Sequence, residues 1–500
     1  MTIKSTLSRI NHINLTGVLL GLSIAFMAFV FGLLSVTANP VFIGLAVGLV
    51  GGVFLLTVPK WNIWLVFALG LGTGALIAMA GPAFSKLTWA FAMMALLMWI
   101  PAVLGLFKKQ ELPFFIWLAL AFVVYSVVVS LIQFYSIGEF SAGFKRYFQT
   151  FGLMIAMVTL AVTKNDYNRW KKLIFYIAML QLPFALYELL VLVPMRGGLA
   201  AGGEATDIVA GTIDANMVGG SANSTMVVYL IIVYSFVFIR WLAGYMNKTQ
   251  LVVFWVFMMI PLLLGESKIV VILIPLAGVV MMRREIVKAP VRYLPVLFAF
   301  AFMTMLTGYV YVFYIMDSTV NDVIRETLSY NVQEVGYGQL LLNRTTVISF
   351  WWSQHGLNDP LGFCFGHGLG SSYFATGNNV TGHIAVRYPM YGINLTTLSS
   401  LLWDIGVVGV ILFVSIFVSA WRSANWLWRN TSDGLQKADS LAIQAALAIF
   451  MLFIIYNDSM VNLFSFELLI TFILGYLGFM VKERKAELRL AQMKRNLQHA

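Results

Sequence analysis

The sequence predicts an all-α polytopic membrane protein with about 12–14 transmembrane helices and one large extracytoplasmic loop that contains short helices. The chain of 500 residues is 60% hydrophobic and 11% charged, with mean hydropathy +0.86. Soluble domains carry about 25% charged residues. Apolar runs able to cross roughly 30 Å of hydrocarbon as helices recur along almost the whole chain, which excludes the short alternating segments of a β-barrel. One stretch breaks the pattern, from Asp317 to about Leu395.

The first run, 15–35, follows Lys4 and Arg9. It is longer than a signal-peptide core and lacks a small-residue cleavage site, so it reads as a retained span. Further spans are expected near 40–58, 62–80, 87–106, 113–134, 148–163, 173–195, 222–240, 250–265, 268–282 and 293–316. After the loop at 317–395 come 396–420, 440–456 and 461–480, then a basic tail at 481–500. With the N-terminus inside, 24 of the 32 basic residues fall on cytoplasmic segments and 8 outside. That bias fits the positive-inside rule, so both termini are expected in the cytoplasm and 317–395 outside.

The net charge of +11 sits on short inner loops and the tail, where anionic membrane lipids explain it without nucleic acid. The single cysteine, Cys364, forms no intramolecular disulfide, and no Cys/His spacing matches structural zinc.

Most outer connections are short, including 135–147; the exceptions are 196–221 and 317–395, the second longer than passive connections usually are. Within it, Gln339 to Gly356 has helical character, and Arg344, Ile348, Trp351 and His355 fall on one face. That stripe is either a binding face or an interfacial helix whose tryptophans sit among headgroups while Arg344 reaches lipid phosphate. His355, His367 and His383 are acid or base candidates, and their spacings match no metal motif. The run Gly366-x-Gly368-x-Gly370 lacks the Gly-Lys-Ser/Thr ending of a nucleotide loop. It either exposes N–H groups that cradle a phosphate or forms a turn into the next element.

Polar residues in or near spans include Gln181, Glu188, Glu266, Lys268, Asp404, Asp458 and Glu467. Burying a charge in a span costs on the order of 3 kcal/mol, so these side chains should face the bundle interior or a wet cavity.

Several motifs, taken in order, resemble the O-antigen ligase and O-antigen polymerase superfamily of integral membrane glycosyltransferases. Gly211-Thr212-Ile213-Asp214-Ala215-Asn216 is similar to the family's Gly-x-x-x-Pro-Asn, with Ala215 in place of Pro. Gly265-Glu266-Ser267-Lys268 resembles its Ser-Arg at the outer end of a span, with Lys for Arg. Asn343-Arg344, Trp351, Pro360-Leu361-Gly362 and Gly366-x-Gly368-x-Gly370 resemble its Gly-Arg, Trp, Pro-Leu-Gly-x-Gly series, and Trp403-Asp404-Ile405-Gly406-Val407-Val408-Gly409 its Glu-x-Gly-x-x-Gly. The matches span about Thr212 to Gly409. Ligases of this family usually carry His-Asn before that last span, whereas Tyr391-Gly392-Ile393-Asn394 stands here, which favours a repeat-unit polymerase.

The resemblance implies a multi-pass protein of the bacterial cytoplasmic (inner) membrane. Its implied activity transfers a growing glycan from undecaprenyl diphosphate to a sugar hydroxyl of another lipid-linked oligosaccharide, for O-antigen, capsule or exopolysaccharide. A flippase and a chain-length regulator would be its partners; a ligase to lipid A core and a polysaccharide flippase or transporter are the rival readings. His383 and His367, then Asp404 and Glu266, are the candidate catalytic residues. Arg344 and Lys268, then Arg387 and Arg196, are expected to hold the diphosphate and, with Trp351, the glycan. No cofactor and no metal are expected, because arginines would supply the charge that a metal provides elsewhere.

Overall fold

The computed structural model describes Phe29 and residues 51–52, 54–80, 87–108, 111–195, 209–213, 222–265, 267–291, 295, 298, 302, 319–332, 336–337, 340–356, 358–375 and 380–499. The chain forms two compact units, Met1–Asn62 and Ile63–Ala500. In the first, 54–57 and 59–62 are helical. Regular structure among the described residues of the second is entirely helical, in agreement with an all-α polytopic membrane protein.

Among the described residues, seven helices are long and apolar enough to cross a membrane, or up to eight if Pro59–Leu71 and Thr73–Met79, bent by 60°, make one span. The windows at 15–35 and 293–316, and most of 40–58, lie outside the described residues. Two further windows form helices that fall short of the others. Lys248–Leu264 has 17 residues, and Val270–Lys288 ends in Arg283, Arg284, Glu285 and Lys288, which leaves a short apolar part. The window at 148–163 is corrected: its helix, Phe151–Thr159, has 9 residues. At 1.5 Å per residue that is about 14 Å, half a bilayer. All but Phe151 in it are buried within the bundle, so its shortness exposes no backbone to lipid.

The second unit is built around α1 (Phe114–Ile132), α2 (Ile137–Phe148), α3 (Phe151–Thr159), α4 (Thr346–Gln354), α5 (Pro360–Phe365), α6 (His383–Arg387), α7 (Thr397–Asn430), α8 (Gly434–Tyr456) and α9 (Phe464–His499). Helix α7 packs on both α1 and α8, and α3 packs on α9. Helix α9 runs 36 residues, about 54 Å at 1.5 Å each, so the expected basic tail continues a span as one helix.

Two groups of polar residues inside the bundle are satisfied by one another. Gln181 donates to Thr212 Oγ1 (2.5 Å) and accepts from Thr212 N (3.0 Å), while Glu188 accepts from Gly211 N (2.6 Å). Both tie residues 210–212 to the helix Lys164–Tyr187 and the π-helical turn Glu188–Leu192. Asp439, fully buried, accepts from Arg240 at 2.6 and 2.8 Å and from Tyr476 at 2.5 Å, with Lys171 Nζ at 3.7 Å. Four helices thereby meet at one charge, and with several partners that burial is sustainable.

The feature that positions the loop is a break in α7. Its start is capped by Thr396, whose hydroxyl accepts from Ser399 N, and Gly406 inside it adopts φ 66°, ψ −173°. Trp403, Asp404 and Ile405 therefore lose the helical partners for their carbonyls. His367 N donates to Trp403 O (2.9 Å), Gly368 N to Asp404 O (2.8 Å) and the Tyr125 hydroxyl to Ile405 O (2.9 Å), with Gly409 N–H facing that same hydroxyl. Gly366 (φ 69°) and Gly406 lie against each other's flanking backbone: a Cβ on Gly406 would stand 2.4 Å from the Cys364 carbonyl, and one on Gly366 2.5 Å from Ile405 N.

Gly406→Ala is expected to destabilise by about 2 kcal/mol or more, because a positive φ and a backbone overlap coincide there. Thermal unfolding in detergent and protease cutting within 355–390 measure it; an unchanged midpoint with an unchanged cutting pattern would contradict the interlock.

Candidate active site

The glycine run 366–372 lies across the α7 break with its donors directed inward. Besides the two carbonyl contacts, Leu369 N donates to Ser130 Oγ on α1 (2.8 Å). The Asp404 carboxylate, 1% exposed, accepts from Gly370 N (3.1 Å), Ser371 Oγ (2.9 Å), Ser372 N (2.8 Å) and the Tyr147 hydroxyl (2.9 Å). A carboxylate has about four acceptor positions, and four donors occupy them. Asp404 is therefore sealed as the anchor of the loop, not open to a substrate proton. The phosphate-cradle reading of the glycines is corrected for the same reason: Gly366 N is committed to Gly362 O on α5 and Gly368 N and Gly370 N to Asp404 on α7, and the run is a turn.

The loop then places three histidines in a row. His367 Nε2 lies 2.8 Å from His355 Nε2, and the His367 and His383 rings are 6.5 Å apart, edge to face. His355 Nδ1 meets Trp351 O at 3.1 Å, so that nitrogen carries the proton and Nε2 faces His367 as an acceptor. Trp403 covers both rings, with centroids 4.7 Å from His355 and 6.1 Å from His367. Burial, reinforced by His355, pushes His367 down to about 4, and burial lowers His355 as well. Both are neutral imidazoles at physiological pH.

His383 is held differently. Glu139 Oε2 accepts from His383 N (2.9 Å), capping α6, and Glu139 Oε1 lies 2.8 Å from His383 Nδ1. Tyr135 stacks on the imidazole at 4.5 Å. With Nδ1–H donated to the carboxylate, the Nε2 lone pair is the one left to take a proton. The side chains of His383 and Glu139 are 14% and 6% exposed, which leaves solvent a way to the imidazole while the carboxylate is shielded. Arg387 follows one turn later on α6, exposed, with its charge felt at His367.

Glu139 was not among the sequence candidates. It lies at the start of α2, in a connection that reads as passive, and meets a residue 244 positions away. A local signal exists: Ser136 caps α2 by accepting from Glu139 N, with Lys145 and Arg146 in the last turn, a helix arranged along its dipole. Lys145 sits 3.4 Å over the Trp89 ring and is lowered to about 8 by burial; Arg146 stacks on Tyr373 at 3.4 Å and donates to Asn462 (3.1 Å).

The other expected residues have different surroundings. Helix α4 spans only Thr346–Gln354, shorter than the expected 339–356, so Arg344 precedes it and does not share the face of Trp351. Its guanidinium donates to Tyr456 O (2.6 Å) and Asn331 Oδ1 (2.6 Å) between the rings of Tyr337 and Tyr456, both at 4.6 Å. Arg344 thus joins the loop to the C-terminal end of α8, where a cation complements the helix dipole. Trp351 is 3% exposed and packs on His355 and Phe363, so it is core to the loop and no open stacking platform. Lys268 lies in the turn before Val270–Lys288. Arg196 and Glu266 lie outside the described residues.

Asp404→Asn replaces an acceptor oxygen with an amide facing backbone donors, and is expected to cost several kcal/mol, at about 1–3 for each buried group left unpaired. Yield of folded protein and thermal midpoint report it; a variant as stable as the parent would show that the cage does not hold the loop. No protein-family model matches the chain, and no curated protein matches it.

Proposed function

We propose that this protein is a membrane glycosyltransferase that polymerises lipid-linked oligosaccharide repeat units. The observation that carries the reading is the Glu139–His383 pair, with Arg387 one turn after His383 in the 317–395 loop, which the positive-inside rule leads us to expect on the outer face. The motif order from Thr212 to Gly409 supplies the substrate class.

In this scheme Glu139 fixes the tautomer and aim of His383, whose Nε2 removes the proton from the acceptor sugar hydroxyl. The freed oxygen attacks the anomeric carbon of the glycan carried on undecaprenyl diphosphate. A C–O bond forms, the bond from that carbon to the diphosphate oxygen breaks, and undecaprenyl diphosphate departs with both electrons. Arg387, exposed one turn from His383, would meet the departing charge, with Lys268 and Arg196 as further clamps. Arg344 acts through the loop it anchors. His367, with Nε2 turned to His355, positions the glycine run and leaves the base role to His383.

Purified protein incubated with the organism's lipid-linked repeat unit is expected to produce a glycan ladder. His383→Gln should lower the rate by about 10²–10⁴-fold, the usual worth of a general base, with the fold retained. Glu139→Gln should lower it by on the order of 10²-fold or more through the lost tautomer control. Attachment to lipid A core without a ladder would make the protein a ligase, and translocation without extension a flippase; either outcome rejects the proposal.

Transfer is also expected without added Mg²⁺ or Mn²⁺ and after chelation. Loss on chelation with rescue by either ion would show that a metal, and not the arginines, meets the diphosphate.

A further inference from the structure

The ligand atoms of His355, Asp359 and His367 lie within 4.8 Å of one another, a grouping that their spacing in the chain does not announce. We propose that these three side chains form a zinc site that staples α4, α5 and the glycine run together. His355 stands at the C-terminal cap of α4, Asp359 at the N-cap of α5, and His367 one residue past the glycine that ends α5.

The donor set fits the ion. Two imidazole nitrogens and one carboxylate oxygen leave a fourth, open position of the kind zinc fills with water. The two Nε2 atoms face each other at 2.8 Å; on a tetrahedral ion with bonds of about 2.0–2.1 Å they would stand about 3.3 Å apart, so a small outward turn of the rings admits it. Two of the three ligands are already oriented from behind. His355 Nδ1–H is held by Trp351 O, the backing that metal-bound histidines regularly show. Asp359 Oδ1 accepts from Gly362 N (3.0 Å), which fixes the carboxylate and leaves its second oxygen for the ion. Trp351 packs on the His355 ring and Trp403 on both rings, with Phe363 behind Trp351, giving the apolar shell that strengthens coordination.

His383, which carries the nitrogen assigned to the acceptor proton, is not among the ligands of the ion. The ion therefore ties the loop and does not enter the transfer step. Because Trp403 and Asp404 hold the glycine run independently, removing the ion loosens the loop without undocking it, and chelated protein keeps its activity.

The test is zinc titration of chelator-stripped, purified full-length protein against a competing indicator, with metal content after gel filtration and the visible spectrum of the Co²⁺-loaded form. One equivalent per chain is expected, with a thermal midpoint raised by zinc. His355→Gln and Asp359→Asn should weaken binding by on the order of 100-fold or more. Asn still caps α5, so the second variant separates loss of the ligand from loss of the fold. Cys364→Ser and His383→Gln should bind as the parent does. Zinc bound no more tightly by the parent than by these two ligand variants, or lost in Cys364→Ser, would overturn the site. Ladder formation in a protein that binds no zinc would reject the staple alone, whereas zinc binding without a ladder would reject the polymerase reading alone.

Discussion

Everything around the candidate site depends on how the break in α7 at Gly406 is repaired. In a low-dielectric bundle, an unpaired carbonyl costs several kcal/mol, so a helix interrupted there must find donors from elsewhere in the chain. The donors come from two directions, the backbone of 367–368 and the hydroxyl of Tyr125. Since adjacent N–H groups must meet adjacent carbonyls, the register of the glycine run is set to the residue. The positions of His367 and, through Ser371 O accepting from Ile384 and Ala385, of α6 follow from it.

Two buried carboxylates near the break illustrate how surroundings divide one functional group into two roles. Asp404 is encircled by donors from one short loop and from Tyr147, and so acts as a rivet between loop and span. Glu139 spends both oxygens on a single residue, His383, one on its backbone and one on its ring. The first arrangement immobilises a segment; the second aims a titratable side chain. Arg344 belongs with the first kind: its contacts to Tyr456 and Asn331 are those of a strut.

Much of the architecture was legible because lipid imposes simple rules. Apolar windows located described helices of spanning length to within two residues at 87–106, 113–134 and 222–240. The window at 148–163 failed because hydropathy cannot distinguish a helix that crosses lipid from a 9-residue one enclosed by other helices. In the loop, spacing alone gave Arg344, Trp351 and His355 a common face, but the helix begins after Arg344, whose guanidinium is drawn to a helix end more than a hundred residues away. His383 was recognisable as a titratable loop residue; its partner was not, since Glu139 looked like part of a short connector.

From the sequence alone came the all-α membrane class, the polar loop between Asp317 and Leu395, and the residues within it able to do chemistry, because composition and helical period reflect solvation, a local property. Which of those residues meet was decided only by the tertiary structure. A positive-φ glycine in one span, a glycine turn some forty residues earlier and an acidic residue at the start of α2 come together because buried backbone and carboxylate groups must be paired. That pairing joins residues far apart in the chain, so no window along it contains the answer.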